Sequence, residues 1–348
     1  MKIGILTYHW STNHGAVLQA WCLQEYLREQ GHEVDIIHYK PRKLDLTWMR
    51  IALHPKRWLS LGRQLAMVRK ETALIPFRER HLHLTRRYFS VSELGPDLEK
   101  YDVLVSGSDQ VLNPSFTLQG DNGKPSPAYW LGIGPSGLRR LGYAVSFGCE
   151  TYPESAAVLA RRWVGGFDAV GVREHTGFQI LDSLHFTGPK CLVPDPTLLL
   201  GACLFDKLGV AVPEDKESYT CVYMLRHEIS LEGNVRYLDD RHHPLSVEEW
   251  LSAIVRARAL VTNSYHGTLM AVLAHVPFVV LPESGGGSGM NDRFLTLLER
   301  LGCMDRIARA ESDIPVILDK PMDFNGLDAA AAEFRREGER FLEENLIG

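Results

Sequence analysis

ALVTNSYHGTLMAVLAHVPFVVL, residues 259–281, is the stretch that decides the fold. Its apolar run 260–263 predicts a buried strand and 268–275 an amphipathic helix. Residues 278–281 predict a second buried strand. Between the first strand and the helix lies a tight turn, Ser264-Tyr265-His266-Gly267. In open α/β sheets, ligands bind in the crevice outside the carboxyl ends of the strands. The turn therefore places a hydroxyl, an imidazole and a glycine on a ligand edge. The first N–H groups of a helix lack intrahelical partners and can hold an anion. A histidine beside them exchanges a proton near neutral pH. The stretch points to chemistry on an anionic substrate, with His266 as the first candidate.

The same rhythm continues on both sides. Residues 2–7 predict a strand, 7–15 a polar loop, 16–30 a helix closed by Gly31, and 34–39 the next strand. Further strands are predicted at 102–106, 141–147, 169–172 and 191–193, and residues 201–217 read as a link. A second run begins at 219–225 and ends in Arg226. Ser246 and Glu249 form a capping box at the head of a helix over 246–257. Residues 285–289 are a glycine-rich loop, 291–301 a helix and 327–346 a long amphipathic helix. The sum is an α/β chain: two Rossmann-like domains in a GT-B-like arrangement with a central crevice. Residues 1–200 form the N-terminal domain and 218–325 the C-terminal domain. Residues 326–348 form a C-terminal helix that packs back on the first.

Bulk properties narrow the function. The chain has 348 residues and a net charge of −5, which argues against general nucleic-acid binding. Its six cysteines are scattered without a C-x-x-C pair, as in a reduced cytoplasmic protein. The start lacks a signal-peptide shape, and no apolar run reaches the ~18–20 residues of a membrane span. Residues 40–87 hold thirteen Lys or Arg against three acids, with Trp48 and Trp58 interleaved. They read either as packed helices with a solvated basic face or as a surface for anionic lipid headgroups at the inner face of the cell membrane. The pairs His81/His83 and His242/His243 have no accompanying ligands, so no metal is expected. No G-x-x-x-x-G-K-[ST] occurs, and no G-x-G-x-x-G follows the first strand.

Seven ordered segments across residues 3–302 resemble the polysaccharide pyruvyl transferase family. They are IGILTYHWSTNHGAVLQAWCLQEYL, VLVSGSDQVLNP, AVGVREHTG, VPDPTLLL, SVEEWL, LVTNSYHGTLMAVL and NDRFLTLLERLG. The resemblance implies a GT-B-like fold with the acceptor on the N-terminal side and the donor on the C-terminal side. It implies a transferase that moves the enolpyruvyl group of phosphoenolpyruvate, as a ketal, onto two sugar hydroxyls. The sugar belongs to a cell-surface polysaccharide, such as an exopolysaccharide or capsule, or to its lipid-linked precursor. Phosphoenolpyruvate is then the donor substrate and no cofactor is required.

By the same resemblance His266 is the general acid that protonates the methylene carbon, a contribution worth about 10²–10⁴-fold. Asp109 orients or deprotonates the acceptor hydroxyl; its plainer reading is a turn aspartate. Arg173 forks onto the donor's phosphate or carboxylate, or pairs with Glu174. Arg293 faces the crevice or caps a helix. Ser264, Gly267 and Thr268 line the anion pocket, with Thr268 alternatively an N-cap. Asn13, His14, Gly15 and Gln110 belong to crevice loops on the acceptor side. Asp195, between two prolines, reads as a structural turn. Better-known members of the family often carry Arg-Leu-His where this chain has Ser264-Tyr265-His266. Arg226, at the end of a strand, is a candidate for the missing cation and equally a surface arginine. Two alternatives remain: a GT-B glycosyltransferase using a nucleotide sugar, with Glu283 for the ribose, or a catalytically silent glycan-binding member.

Overall fold

The computed structural model describes residues 1–44, 61–225, 228–238, 243–282 and 291–346. Arg226, Glu283, the 285–289 loop and residues 45–60 of the basic stretch lie outside them. Among the described residues the strands are β1 (Lys2–Leu6), β2 (Glu33–Ile36), β3 (Val103–Ser106), β4 (Arg139–Val145), β5 (Ala169–Val172) and β6 (Lys190–Leu192), then β7 (Thr220–Tyr223), β8 (Val235–Tyr237), β9 (Ala259–Thr262) and β10 (Phe278–Val280). The helices are α1 (His14–Glu29), α2 (Leu61–His81), α3 (Val91–Leu94), α4 (Pro114–Gln119), α5 (Glu154–Ala160), α6 (Thr176–Ser183) and α7 (Pro196–Leu200), then α8 (Cys203–Lys207), α9 (Val247–Val255), α10 (Tyr265–Leu273), α11 (Asp292–Arg300), α12 (Ile314–Leu318) and α13 (Phe324–Leu346).

Two parallel sheets result. The six-stranded sheet has the order β2-β1-β3-β4-β5-β6, and the four-stranded sheet the order β10-β9-β7-β8. Parallel sheets are covered on both faces, which is why their strands are continuous apolar runs. VLVS of β3, AVGV of β5, TCVY of β7 and ALVT of β9 are buried at every position. The two halves share one core. Helix α7, PTLLL, is buried throughout and packs on α1, α10 and α13. Its leucines join apolar residues of both sheets in a single cluster.

Helix α13 packs against α7 and against β4, β5 and β6 of the first sheet. Phe341 meets Tyr143 with ring centroids 6.2 Å apart. No helix among the described residues is long and apolar enough to cross a membrane. Part of the basic stretch is neutralised inside: Lys40 and Arg78 are buried and both pair with Glu71.

Several boundaries differ from the sequence reading. Helix α1 starts at His14, with Asn13 as its cap, so His14 and Gly15 belong to the helix and not to the loop. Helix α10 starts at Tyr265 under a Ser264 cap, not under Thr268. An Asn or Ser with extended backbone satisfies first-turn N–H groups, and the apolar period alone does not mark that turn. Strand β8 was not anticipated, because Val235–Tyr237 is too short for a periodic signal. The 201–217 link contains the short helix α8.

Close packing of α13 generates a prediction with an unusual sign. Replacing glycine by alanine inside a helix normally adds about 1 kcal/mol of stability. A Cβ on Gly338 would lie 2.6 Å from Tyr143 Oη and 2.8 Å from Pro194 Cδ. Overpacking of this kind costs about 1–3 kcal/mol. Gly338→Ala should therefore lower the urea midpoint; a raised midpoint would show that α13 does not press on β4 as described.

Candidate active site

Each sheet has a point where its strand order reverses, and both points open on the same cavity. In the first sheet β1 lies between β2 and β3; in the second, β7 lies between β8 and β9. The segments after β1 and β3 contribute Tyr8, Ser11, Asn13, Asp109 and Gln110. Those after β7 and β9 contribute Leu225, Ser264, Tyr265 and His266, and α11 adds Arg293. The cavity measures about 220 Å³. Ligand sites of open α/β sheets sit at such switch points.

His266 is buried between the two halves. A Cβ on Gly15 would lie 2.1 Å from both its Cγ and its Nδ1, so only glycine at the head of α1 admits the ring. The Nε2 atom lies 3.4 Å from Asp195 Oδ2, within ion-pair range but long for a hydrogen bond. Asp195 caps α7 through Oδ1, which accepts from the backbone N–H and hydroxyl of Thr197. Its Oδ2 accepts from Ser108 Oγ at 3.0 Å and from Arg173 Nη1 at 3.0 Å. Burial pushes the Asp195 carboxyl up, but His266 and Arg173 outweigh it and hold it well below the usual carboxylate range.

Arg173 stands behind the cavity and does not line it. Its side chain is fully buried, with Asp109 Oδ1 at 3.8 Å, Glu174 Oε2 at 3.9 Å and the Tyr265 ring centroid at 4.6 Å. Burial disfavours its charge, but Tyr265, Asp195, Glu174 and Asp109 together keep the guanidinium protonated. Arg173 pairs with Asp195 as the near partner and Glu174 as the distant one. Arg293 occupies the cavity wall instead. Its guanidinium lies 5.7 Å from the Tyr265 centroid and 5.4 Å from that of Phe294. Its Nε has no hydrogen-bond partner among the described residues. Burial and the like charge of Arg173 lower its pKa to about 10. Both guanidinium groups lie by the Tyr265 ring, and Asp109, Glu174 and Tyr265 partly offset the repulsion that Arg293 meets from Arg173.

The remaining candidates divide. Asp109 lines the cavity in a left-handed conformation, φ 78°, which strains a residue other than glycine. Gln110 and Ser264 also line it. Asn13 lines it while its Oδ1 accepts from the N–H groups of Gly15 and Ala16. Gly267 and Thr268 do not line it. The Gly267 N–H donates to Ser264 Oγ, and the Thr268 hydroxyl donates to the Ser264 carbonyl. His14 is no crevice residue: its Nε2 contacts the Leu245 carbonyl at 2.9 Å and its ring stacks on Trp250 at 5.2 Å. It ties α1 to the second half. Among the described residues no group of His, Cys, Asp and Glu is arranged to hold a metal.

Residues 13–285 match the family model described as Polysaccharide pyruvyl transferase. The chain belongs to that family. No curated protein matches the sequence significantly. Among solved structures, UDP-GlcNAc 2-epimerase from Neisseria meningitidis is similar over 100% of both chains, with 9% identity and a TM-score of 0.53. That likeness speaks for the fold alone. Spinosyn forosaminyltransferase SpnP is also similar over 97% of this chain and 95% of its own, at 14% identity and a TM-score of 0.43.

Within this family member, the sequence reading missed Asp195 as a partner of His266 and missed Tyr8, Ser11 and Tyr265 as cavity residues. A signal for Asp195 was present. Apolar residues surround it in VPDPTLLL, so the carboxylate had to be buried, and a buried carboxylate requires donors.

The pairing of Asp195 sets an acid limb for stability. Its carboxylate contribution is complete above the ordinary value of about 3.9 and is lost as pH falls below it toward the depressed native value. Asp195→Asn should lower stability by roughly 3 kcal/mol near neutrality, since it leaves Arg173 without its near partner. In urea titrations the gap to wild type should narrow below about pH 4. A gap that stays constant through that range would remove the ion pair from the account.

Proposed function

We propose that the cavity transfers the enolpyruvyl group of phosphoenolpyruvate to two hydroxyls of a sugar. The observation that carries this reading is Arg293: a guanidinium on the cavity wall with His266 and Asp109, whose Nε has no hydrogen-bond partner among the described residues. A phosphate or carboxylate is the natural partner for such a fork. At about 220 Å³ the cavity suits a three-carbon phosphate better than a whole nucleotide sugar, since drug-sized ligands occupy ~300–1,000 Å³.

The chemistry follows from the groups present. An acceptor hydroxyl adds to C2 of the donor, and Asp109 takes its proton. His266 delivers a proton to the C3 methylene, which becomes the methyl group. Phosphate then leaves C2, a second hydroxyl of the same sugar closes the ring, and its proton is released. The products are a cyclic pyruvate ketal and inorganic phosphate. Arg293 holds the donor's charge through both steps, a cation that Ser264 does not supply. The acceptor is a sugar of a surface polysaccharide or its precursor, as the family implies.

Calorimetry with phosphoenolpyruvate tests the donor. Wild type should bind saturably, and Arg293→Ala should weaken binding by ~10-fold or more, about 1.4 kcal/mol. His266→Gln should retain binding and lose turnover. Absence of binding at millimolar phosphoenolpyruvate, with binding of a nucleotide sugar, would replace this reading with glycosyl transfer.

A further inference from the structure

The chain path brings two like charges together. Arg173 follows β5, and Arg293 is the second residue of α11. The head of α11 is tied to the segment just after Arg173. There the Thr176 N–H donates to Asp292 Oδ2 at 2.8 Å, and the His175 N–H donates to Thr296 Oγ1 at 3.2 Å. The two elements cannot separate without breaking those bonds, so the repulsion between the arginines has to be met locally. The acids meet it unevenly. Asp195, Asp109 and Glu174 lie 3.0, 3.8 and 3.9 Å from Arg173. Burial and Arg173 disfavour the charge of Arg293, and Asp109, Glu174 and Tyr265 offset only part of that.

Tyr265 is what the two guanidinium groups share. Their Cζ atoms lie 4.6 Å (Arg173) and 5.7 Å (Arg293) from its ring centroid. The face of an aromatic ring attracts a cation, and more strongly where water is excluded. A carboxylate in the same place would neutralise Arg293 and repel an anion in the cavity. A ring steadies the guanidinium and leaves its charge available. The ring is itself fixed. Tyr265 opens α10, is 2% exposed and meets the His266 ring edge-on with centroids 5.4 Å apart. Phe294 lies 6.0 Å from it, so the helix that carries Arg293 packs on the same ring.

We propose that Tyr265 is a positioning residue of the donor site: its ring, through its π face, holds the Arg293 guanidinium charged on the cavity wall beside Arg173. This rests on reading Arg293 as the group that binds the donor's phosphate or carboxylate. The hydroxyl of Tyr265 has no part in it, and Tyr265 acts on the donor only through Arg293.

Calorimetry with two probes, phosphoenolpyruvate and inorganic phosphate, tests this on wild type, Tyr265→Leu, Tyr265→Phe and Tyr265→pentafluorophenylalanine. The same substitutions are repeated on Arg293→Ala. Tyr265→Leu should weaken binding about five-fold or more, the share of one desolvated cation–ring contact. Tyr265→Phe keeps the ring and should rescue that affinity. Pentafluorophenylalanine keeps nearly the same shape but reverses the charge distribution of the ring, so it should weaken binding about five-fold relative to Tyr265→Phe. On Arg293→Ala, none of the three should change the residual affinity further. If Tyr265→Leu fails to fold, the fluorinated ring carries the test alone. The proposal is overturned if the fluorinated ring binds as well as phenylalanine, if Tyr265→Phe binds as weakly as Tyr265→Leu, or if the substitutions still weaken binding on Arg293→Ala. Phosphate binding without phosphoenolpyruvate binding removes the donor reading, and the positioning role is then judged on phosphate. Phosphoenolpyruvate binding that ignores the fluorinated ring removes the positioning role alone. Binding of neither probe by wild type removes both.

Discussion

A carboxylate with no exposed surface must be answered by donors, and Asp195 is answered from three directions at once. Thr197 donates to it from α7, Ser108 from the segment after β3, and Arg173 from the end of β5, while His266 approaches from α10. Burial without those partners would drive the group to its neutral form or unfold the region. With them, one carboxylate joins the bridging helix through Oδ1 and the first sheet and His266 through Oδ2. Arg173 in turn is held by three acids and a tyrosine ring, so its position is set from several sides.

The arrangement of elements around that oxygen explains why the cavity lies where it does. Helix α7 follows β6, the last strand of the first sheet, yet it packs on α1 and α10, the helices that follow β1 and β9 beside the two switch points. Its N-cap is therefore next to both switch points. Gly15 completes the geometry from the opposite side by leaving room for the imidazole at the head of α1. A histidine on the second half is thus clamped between two residues of the first. The shared core and the return of α13 across the first sheet keep those halves from separating as independent bodies. His14, stacked on Trp250, adds a polar tie across the same seam.

Much of this was legible in the chain. The βαβ reading of residues 259–281 needed only periodicity, because both strands and the helix are buried and apolar. The capping box at Ser246 and Glu249 is a local pattern, and it forms as read. Helix starts were read late at α1 and α10 because their first turns are polar, His14-Gly15 and Tyr265-His266, and carry no apolar period. The site was legible in its members but not in its geometry. Asp195 reads as a turn because Asp between prolines is a strong local signal. Its second role depends on Arg173, twenty-two positions away, and on a histidine from the other half. Arg173 and Arg293 look alike as strand-end and helix-start arginines. Only packing shows that Tyr265 stands between them and that Arg293 has the cavity side.

A double-mutant cycle between Asp195 and His266 tests most directly whether the first half holds the histidine of the second. Urea unfolding at pH 6 is measured for wild type, Asp195→Asn, His266→Gln and the double variant. Residues in buried contact show coupling of about 0.5–3 kcal/mol, and independent sites add within ~0.3–0.5 kcal/mol. The account predicts a coupling of about 1 kcal/mol or more. Additivity would mean that the 3.4 Å approach holds nothing in place and that His266 is positioned by its own helix alone.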